Sequence, residues 1–223
     1  MKYLFVFSCV GLFPLLGHAQ TSDHVRLGVT AGGTLTTIVG NGLPGEGIPD
    51  TPAIKGRAGW TGGVIAQLPL TNQGTLFLQP ELVYNQEGYR LESSYTDYSA
   101  KRGRSFVSLP VMLGYTKYGF FVTAGPQIGY LAAVRDRYHF PSYTLPDGTI
   151  KPAYDETGKL IRHSYNRWET SVVAALGYRL ANGFGLEARY TEALTSMEGG
   201  SVFKNNRHSR NAGGQLRISY LLR

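Results

Sequence analysis

Two glutamates are the residues of this sequence best suited to chemistry. Glu81 and Glu187 each lie in a segment that alternates apolar and polar side chains. Two carboxyl groups on facing walls of a fold can act as a general acid and a general base. The alternative is that they neutralise inward-facing arginines. The sequence favours the neutralising role, and we predict no catalytic residue.

The histidines offer little further chemistry. Two His–Ser pairs, His163–Ser164 and His208–Ser209, lie in or beside predicted loops. Neighbouring side chains of a strand point to opposite faces, so adjacency is the wrong spacing for a shared nucleophile and base. His24 and His139 add no metal-ligand spacing. We predict no metal site and no cofactor, and the sequence leaves ligand-binding residues undefined.

The amino terminus has the pattern of a secretory signal peptide. Lys2 precedes the apolar stretch "YLFVFSCVGLFPLLG", which is followed by "GHAQ". A basic start, a short apolar core and a small-x-small site predict cleavage after Ala19. A membrane-anchoring helix is disfavoured because the stretch is short and contains Pro14. We expect a signal peptide over 1–19 and a mature domain over 20–223.

Size and charge limit the classes of function. The only cysteine, Cys9, would leave with the signal peptide, so we expect neither disulfides nor a thiol nucleophile. The rest of the chain suits one domain or one closed barrel. The net charge is +7, or +6 without Lys2, which for an exported protein favours anionic lipid or polysaccharide over nucleic acid.

Period-two alternation dominates the mature chain and predicts strands. No apolar run after residue 20 approaches the roughly 18 residues that a transmembrane helix needs. Side chains instead alternate between apolar and polar, as in half-buried strands. The eight segments that alternate in this way are 25–37, 58–68, 76–84, 107–115, 120–130, 168–178, 184–190 and 212–222.

The connections alternate in length. Three are tight turns rich in Asn and Gly: "TNQG" at 71–74, "KYG" at 117–119 and "ANG" at 181–183. Short turns at one end and long loops at the other are typical of outer-membrane barrels. We predict an all-β fold, an eight-stranded antiparallel up-and-down transmembrane barrel with both termini in the periplasm. The predicted external loops are 39–56, 91–104, 135–164 and 197–209.

In a soluble secreted ligand-binding barrel the apolar face lines the interior, whereas in a membrane barrel it faces lipid. The sequence favours the membrane barrel. Aromatic residues lie at both ends of this face, and Phe120 and Tyr130 are about 33 Å apart along a strand. A tilt of about 40° makes that about 25 Å, the height of an outer-membrane apolar band. The opposite face is too polar for a dry ligand cavity. It carries Arg57, Gln67, Gln79, Glu81, Glu87, Glu169, Arg179, Glu187, Arg189, Gln215 and Arg217.

Prolines interrupt three predicted strands, at Pro80, Pro110 and Pro126. Pairing across the "KYG" turn places Val111 opposite Pro126 and brings Pro110 to the same level. Proline cannot donate to a β ladder, and a closed barrel has no edge to accommodate it. We therefore expect a bulge or a bend at this level.

The last hairpin has a predictable register. Placing Phe184 opposite Tyr220 in the same aromatic row brings Glu187 opposite Arg217 on the inner face. A carboxylate directly across from a guanidinium can form charge-assisted hydrogen bonds. We predict an interior ion pair with a structural role.

Several motifs resemble those of the PorT-like outer-membrane β-barrel family, within the porin-family-like barrels. They are "LQPELVYNQEG", "SLPVMLGY", "AGPQIGYL" and "GFGLEARYTEALT", and the resemblance extends over most of the mature chain. It implies an eight-stranded outer-membrane barrel. The family's namesake is associated with protein export, and nothing in these motifs carries that role to this chain. The ending "ISYLLR" departs from the aromatic C-terminus of most barrels.

The predicted third loop, 135–164, is the place where the sequence best fits a specific protein partner. It combines aromatic and basic residues, although "LPDGTI" equally predicts a solvated hairpin. Outer-leaflet lipid is the other expected partner, since basic residues are spread over the outer rim. We predict a non-enzymatic outer-membrane protein with a narrow or plugged interior that anchors surface loops for interaction or envelope integrity. The alternatives are the soluble ligand-binding barrel and an outer-membrane lipid-modifying enzyme. The rim and loop residues are Lys101, Arg102, Arg135, Arg137, Tyr138, Phe140, Tyr143, Lys151, Tyr154, Arg162, Lys204, Arg207 and Arg210.

Overall fold

Eight long strands form the structure, a computed structural model that describes residues 25–41, 53–93, 98–146, 149–158, 166–196 and 208–222. The predicted signal peptide, His24, His163, Ser164 and the middle of the first and last long loops lie outside these residues. Three short strands are β6 (Tyr143–Thr144), β7 (Ile150–Lys151) and β8 (Tyr154–Gly158). The long strands are β1 (Arg26–Asn41), β2 (Ala53–Pro69), β3 (Leu76–Glu92), β4 (Ser99–Lys117), β5 (Phe120–Phe140), β9 (Trp168–Arg179), β10 (Phe184–Ala193) and β11 (His208–Leu221).

The long strands close into a ring. Consecutive long strands pair antiparallel from β1 through β5, then through β9 and β10 to β11. β11 then pairs with β1, from Gly28↔Leu221 upward, which closes the barrel. This confirms the predicted eight-stranded antiparallel up-and-down barrel. Within the described residues, no helix has the length and apolar character needed to cross a membrane.

The three tight connections have the predicted turn chemistry. Tyr118 and Gly119 both have positive φ angles, 53° and 83°, which a two-residue hairpin loop of this hand requires. Gly74 and Gly183 supply the positive φ of the other two turns, at 64° and 97°. The backbone N–H of Gly74 donates to the Thr71 carbonyl at 2.8 Å. These turns fix the register of the strands they join.

The two faces of the wall separate as predicted. Apolar side chains on the outer face are open to the surroundings, with Leu35 61% and Phe120 62% exposed. Polar side chains on the inner face are buried, and Gln79 is only 1% exposed. Soluble folds bury apolar rather than polar faces, so this inversion indicates a lipid-facing wall.

Two rows of aromatic rings border the apolar band. Near the short turns, the ring centres of Phe120 and Tyr178 are 4.8 Å apart. Near the other end, those of Tyr130 and Trp168 are 5.0 Å apart. Each pair lies in register on neighbouring strands. The predicted aromatic girdles are thus arranged as cross-strand pairs.

Ala212 is the exception on the outer face. It begins the alternating segment 212–222 on the same alternate set as lipid-facing Leu216, yet it is 5% exposed. Its register partners, Thr37 and Glu192 on the two adjacent strands, both have longer side chains. Tyr190 belongs to the outer aromatic row, and Glu192 lies two residues beyond it. The apolar band has therefore already ended at the level of Ala212.

The prolines of β4 and β5 do not mark a bulge. The two strands pair through Leu113↔Ala124 and again through Pro110↔Gln127, in one unchanged register that matches the predicted one. Of the bulge or bend expected at this level, the bulge is therefore excluded and the bend stays a prediction. Pro126 lies between these two pairs, where the β4–β5 ladder is interrupted. The ladder has no pairing of Pro126 with Val111, as expected for a residue that has no N–H to donate.

The register shifts higher in the wall instead. Phe106 pairs with Leu131, but the preceding residue of β4 pairs with Ala133, so Ala132 is an extra residue in β5. One extra residue reverses which side chains point inward. Leu131 below the bulge and Asp136 above it are accordingly both buried. Below the bulge the odd-numbered residues of β5 point inward, and above it the even-numbered residues do.

Several strands extend further than the alternation predicted. The predicted loop 91–104 is mostly strand, since β3 ends at Glu92 and β4 begins at Ser99. β5 continues to Phe140, where its upper part pairs with β8. β9 and β10 are much shorter. The wall is therefore taller along β2–β5, and its outer face there is charged, which is why apolar alternation did not reveal it.

Candidate functional site

Four charged side chains meet in the centre of the barrel. Glu81 of β3 faces Glu187 and Arg189 of β10 and Arg217 of β11. All four are at least 96% buried. Their strands place them on the inner face by simple alternation with lipid-facing neighbours such as Leu82. We call these four residues the interior ion cluster.

Glu81 is the centre of the interior ion cluster. Its two carboxylate oxygens accept Nη1–H and Nη2–H of Arg189, at 3.0 and 2.8 Å. The same oxygens accept Nη1–H and Nη2–H of Arg217, at 3.0 and 3.1 Å. Gln79 Nε2 donates a further bond at 2.8 Å. Two bidentate guanidinium contacts hold this carboxylate firmly in one place.

Glu187 completes the neutralisation. Its Oε1 lies 2.8 Å from Arg189 Nε and 3.0 Å from Arg217 Nη2. Glu187 and Arg217 are also directly in register, as are Phe184 and Tyr220. The predicted Glu187–Arg217 pair is confirmed. The sequence did not reveal that Glu81 bonds the same arginines from the opposite side of the barrel, 136 residues away from Arg217.

The interior ion cluster favours a structural role over acid–base chemistry. Arginine stays protonated in proteins, so a carboxylate bound by two guanidiniums keeps its negative charge. A general acid needs a proton to give, and a general base needs an open lone pair facing a substrate. Glu81 and Glu187 are brought together, as an acid–base pair would require, but two arginines engage both of them.

A second polar layer lies nearer the outer end. Asn211 Nδ2 donates to Glu169, and Arg104 Nη2 donates to Asn211 Oδ1 at 2.7 Å. Ser171 Oγ donates to Glu169 Oε1 at 3.3 Å. The alternation predicts Glu169 on the inner face, whereas Arg104 and Asn211 lie beyond the predicted strand ends. Their inward direction follows only from the longer strands.

Aromatic rings pack against glycines at the short-turn end. A Cβ built on Gly114 would lie 2.2 Å from the Phe77 ring, and one on Gly177 would lie 2.3 Å from the Phe121 ring. Both rings need the space that these glycines leave. Arg179 lies with its Cζ 4.7 Å from the centre of the Phe121 ring. Beneath them, a cavity of about 790 Å³ opens toward the turns.

An apolar cluster lies at the other end of the interior. It lies above the polar layers, on the inner faces of β1, β3 and β4, with flanking side chains from β2, β5 and the residue before β4. With the aromatic residues below and the polar layers between, it makes a third layer of side chains inside the barrel. The cluster consists of Ile38, Tyr89, Leu91 and Ala100, packed against Ile54, Tyr98 and Tyr138.

Four cations lie side by side on the outer face of the tall wall. Lys55 of β2 is in register with Arg90 of β3. Arg90 is in register with Lys101 of β4, and Lys101 with Arg137 of β5. Lys55, Lys101 and Arg137 are exposed, and Arg90 is half-buried. We call these four residues the cation row.

One acidic residue touches the cation row within the described part of the chain. Lys55 Nζ lies 2.6 Å from Glu92 Oε2. Two further ion pairs lie on the outer surface: Arg210 with Glu192 at 3.8 Å, and His139 with Asp155 at 2.6 Å. The cation row thus carries a local excess of positive charge.

Two residues beside the tall wall, Arg57 and Arg102, were predicted in other parts of the barrel. Arg57, predicted on the inner face, is half-buried, and its Nη1 donates to the Glu87 carbonyl at 3.0 Å. Arg102, predicted in an external loop, lies in β4 with its Cζ 5.9 Å from the centre of the Tyr89 ring. The longer strands explain Arg102, since a residue expected in a loop becomes part of the wall.

The predicted third loop contains ordered structure. β6 and β7 pair, and Leu145 N donates to the Thr149 carbonyl at 2.9 Å, which confirms the hairpin predicted at "LPDGTI". Phe140 and Tyr154 stack with ring centres 4.9 Å apart, where β8 joins β5. Arg162 of this loop, with Lys204 and Arg207 of the next, lies outside the described residues.

The histidines and the serines paired with them in the sequence form no site within the described part of the chain. His139 bonds Asp155 on the exposed surface, and Ser209 is buried. The side chain of His208 lies outside the described residues, as do His24, His163 and Ser164. No group of three or more potential metal ligands occurs among the residues described.

Comparison with known proteins identifies the family of this chain. No curated protein matches the chain. The attachment invasion locus protein Ail of Yersinia pestis, solved with the heparin analogue sucrose octasulfate, is 10% identical, with 89% of this chain and 99% of that chain covered and a TM-score of 0.45. Neisserial surface protein A is 12% identical, with 89% and 99% covered and a TM-score of 0.41. The family model "Outer membrane protein beta-barrel domain" matches residues 18–199, most of the chain, and this protein belongs to that outer-membrane family.

Proposed function

We propose that this protein is a non-enzymatic outer-membrane barrel that holds strands and loops at the cell surface for interaction or envelope integrity. The observation that carries the proposal is the difference between its interior and its surface charges. The interior ion cluster is neutralised within the barrel, whereas the cation row is exposed on the tall outer wall. The interior then serves stability, and the surface that extends above the membrane is the part available to partners.

The proposed orientation places the tall wall outside the cell. Even strand number and short periplasmic turns support it. Single cysteines at Ile48, Asp97 and Ile150 should react on whole cells with a membrane-impermeant reagent, whereas cysteines at Asn72 and Asn182 should react only after the outer membrane is permeabilised. Labelling of the turn positions on intact cells would reverse the orientation and remove the cation row from the surface.

A plugged interior is part of the same proposal. Three layers of side chains support it: the apolar cluster, the polar layers and the ring pair of Phe77 and Phe121. Purified protein in a planar bilayer should give no stable conductance steps. Steps with the size and ohmic behaviour of an open pore would contradict the plugged interior.

The amino terminus and the narrower family are also proposals. The motifs "SLPVMLGY" and "AGPQIGYL" support a PorT-like barrel. Sequencing of the mature protein from outer membranes should begin at Gln20, after a cleaved signal peptide of residues 1–19. Crosslinking in intact envelopes, followed by identification of neighbours, tests for a protein partner at the external loops.

Two assays distinguish the alternative functions. A soluble ligand-binding barrel should stay monodisperse without detergent, whereas this outer face, with Leu35 and Phe120 exposed, should aggregate. A lipid-modifying enzyme should release fatty acid from outer-membrane lipid. We expect none, and activity abolished by Glu81→Gln in a folded barrel would overturn the non-enzymatic proposal.

A further inference from the structure

We propose that the cation row binds phosphate groups in the saccharide headgroups of an outer-leaflet glycolipid. The inference rests on the proposed function, because it requires the tall wall to lie outside the cell. It adds a specific site: Lys55, Arg90, Lys101 and Arg137, on four consecutive barrel strands.

The register of the cation row is unfavourable for the isolated protein. Residues directly opposite on antiparallel strands have Cβ atoms about 4.5–5.5 Å apart, and like charges there are destabilising. The row contains three such contacts in succession, through Arg90 and Lys101. Among the described residues, Glu92 is the one acidic group bonded to it, through Lys55. Within the described part of the chain, the row thus has fewer acidic partners than cations, which favours binding of external anions.

The height of the cation row identifies where those anions are. Arg90 is six residues beyond Tyr84, which lies in the outer aromatic row and stacks with Trp60. Six residues cover about 20 Å along a strand, or about 15 Å along the membrane normal at a tilt of about 40°. That level is above the acyl chains, beside the saccharide headgroups of the outer leaflet.

The direction of the cation row points to lipid rather than to a ligand above the barrel. Tyr89 and Leu91, the neighbours of Arg90, are buried in the apolar cluster, so Arg90 points sideways from the wall. Lys101 and Leu113 lie on the same outward set of alternate residues in β4, and Leu113 is in the lipid-facing band. The row continues the lipid-contacting surface upward, and the molecules next to it are the headgroups of that lipid.

The chemistry of the cation row suits several phosphates at once. Four neighbouring strands place the outermost cations about 15 Å apart. Arginine forms bidentate bonds to phosphate, and lysine acts as a compact point charge. A row of this length can contact phosphates on one large headgroup or on two adjacent ones. Binding should weaken with salt, because exposed charges are screened.

The test compares a variant of the cation row with a matched control. The variant Arg90→Gln/Lys101→Gln/Arg137→Gln removes three charges and leaves the Lys55–Glu92 pair. The control Lys151→Gln/Arg167→Gln/Arg210→Gln removes three charges elsewhere on the outer surface. Each full-length protein is purified in detergent, and its fold is checked by heat-modifiable mobility in gels. Binding of fluorescent lipopolysaccharide with a phosphorylated core is then measured by anisotropy, along with the same glycolipid after dephosphorylation.

The expected result is a loss specific to the cation row. Wild-type and control should bind the phosphorylated glycolipid within twofold of each other, and the row variant at least tenfold more weakly. Dephosphorylation should weaken wild-type binding by a similar factor, and 10 mM inorganic phosphate should compete only slightly. Equal weakening of the two variants, or strong binding to the dephosphorylated form, would overturn the proposal. Displacement by inorganic phosphate would reassign the row to free anions and overturn the lipid assignment.

Failure of this inference can be distinguished from failure of the proposed function. If the row does not bind lipid, the wild-type protein still folds in detergent and Asp97→Cys is still labelled on whole cells. If the barrel does not present this wall outside, labelling at Asp97→Cys fails whatever the anisotropy shows.

Discussion

The interior ion cluster and the cation row each contain two arginines but differ in their balance of charge. Inside, two arginines and two glutamates bond one another at 2.8 to 3.1 Å. Outside, four cations lie in register with one glutamate bonded to them. The inner group is neutral as a unit, and the outer group is strongly positive.

The difference reflects what surrounds each group. A buried charge loses its hydration, and only close partners of opposite sign make up for that loss. An exposed cation keeps its water and attracts anions from its surroundings. Balanced charge therefore indicates a structural role for the interior ion cluster, and unbalanced charge supports the binding role proposed for the cation row.

The largest effect is expected at Glu81. Glu81→Gln keeps the shape of the side chain but leaves two buried arginines with one carboxylate, and should lower the free energy of unfolding by about 3–5 kcal/mol. Guanidinium titrations in lipid vesicles measure this. The matched control is Glu156→Gln on the exposed strand β8, which should change it by less than about 0.5 kcal/mol. A similarly small loss at Glu81 would show that the interior ion cluster contributes little.

The coupling between Glu187 and Arg217 should be next in size. Glu187→Gln and Arg217→Met should each destabilise the barrel by up to about 3–5 kcal/mol, since each leaves a buried partner unpaired. The double variant should lose less than the sum, because the two side chains bond directly. A double-variant cycle in the same titration measures the difference, and strict additivity would contradict their pairing.

The lipid-facing band should be more tolerant than the interior but clearly sensitive to charge. Ala174→Arg and Leu113→Arg lie near the middle of the band and should each cost about 2–4 kcal/mol in vesicles. Ala133→Arg makes the same change on the exposed wall above the outer aromatic row, and should cost less than about 1 kcal/mol. Equal costs at Ala174 and Ala133 would place the membrane boundary elsewhere.

The smallest effect on stability is expected in the cation row. Lys101→Gln removes the charge between Arg90 and Arg137, and should raise stability by a few tenths of a kcal/mol at low salt in detergent without glycolipid. The gain should vanish in 1 M salt, where screening acts within about 3 Å. Destabilisation at low salt would show that the protein already neutralises the row.

Local patterns accounted for most of the fold. Period-two alternation gave the eight strands and their faces because it depends on the sequence of each strand alone. Short turns extended this to pairing, as with Glu187 and Arg217, because a tight turn joins strands in a fixed register. Of the bulge or bend expected at Pro110 and Pro126, the structure excludes the bulge, since the ladder is interrupted there without a register shift. The loop predicted at 91–104 was wrong, because strands continue there with a charged outer face.

The sequence by itself determined an outer-membrane barrel, its lipid-facing residues and the pair formed within its last hairpin. Only the tertiary structure decided that Glu81 bonds Arg189 and Arg217, because these strands meet through the lumen of the closed barrel and not through a turn. The cation row likewise required the registers of four strands together, including the bulge at Ala132 that carries Arg137 to the outer face. Alternation specifies a face within one strand, whereas contacts across several strands depend on the accumulated register and closure of the barrel.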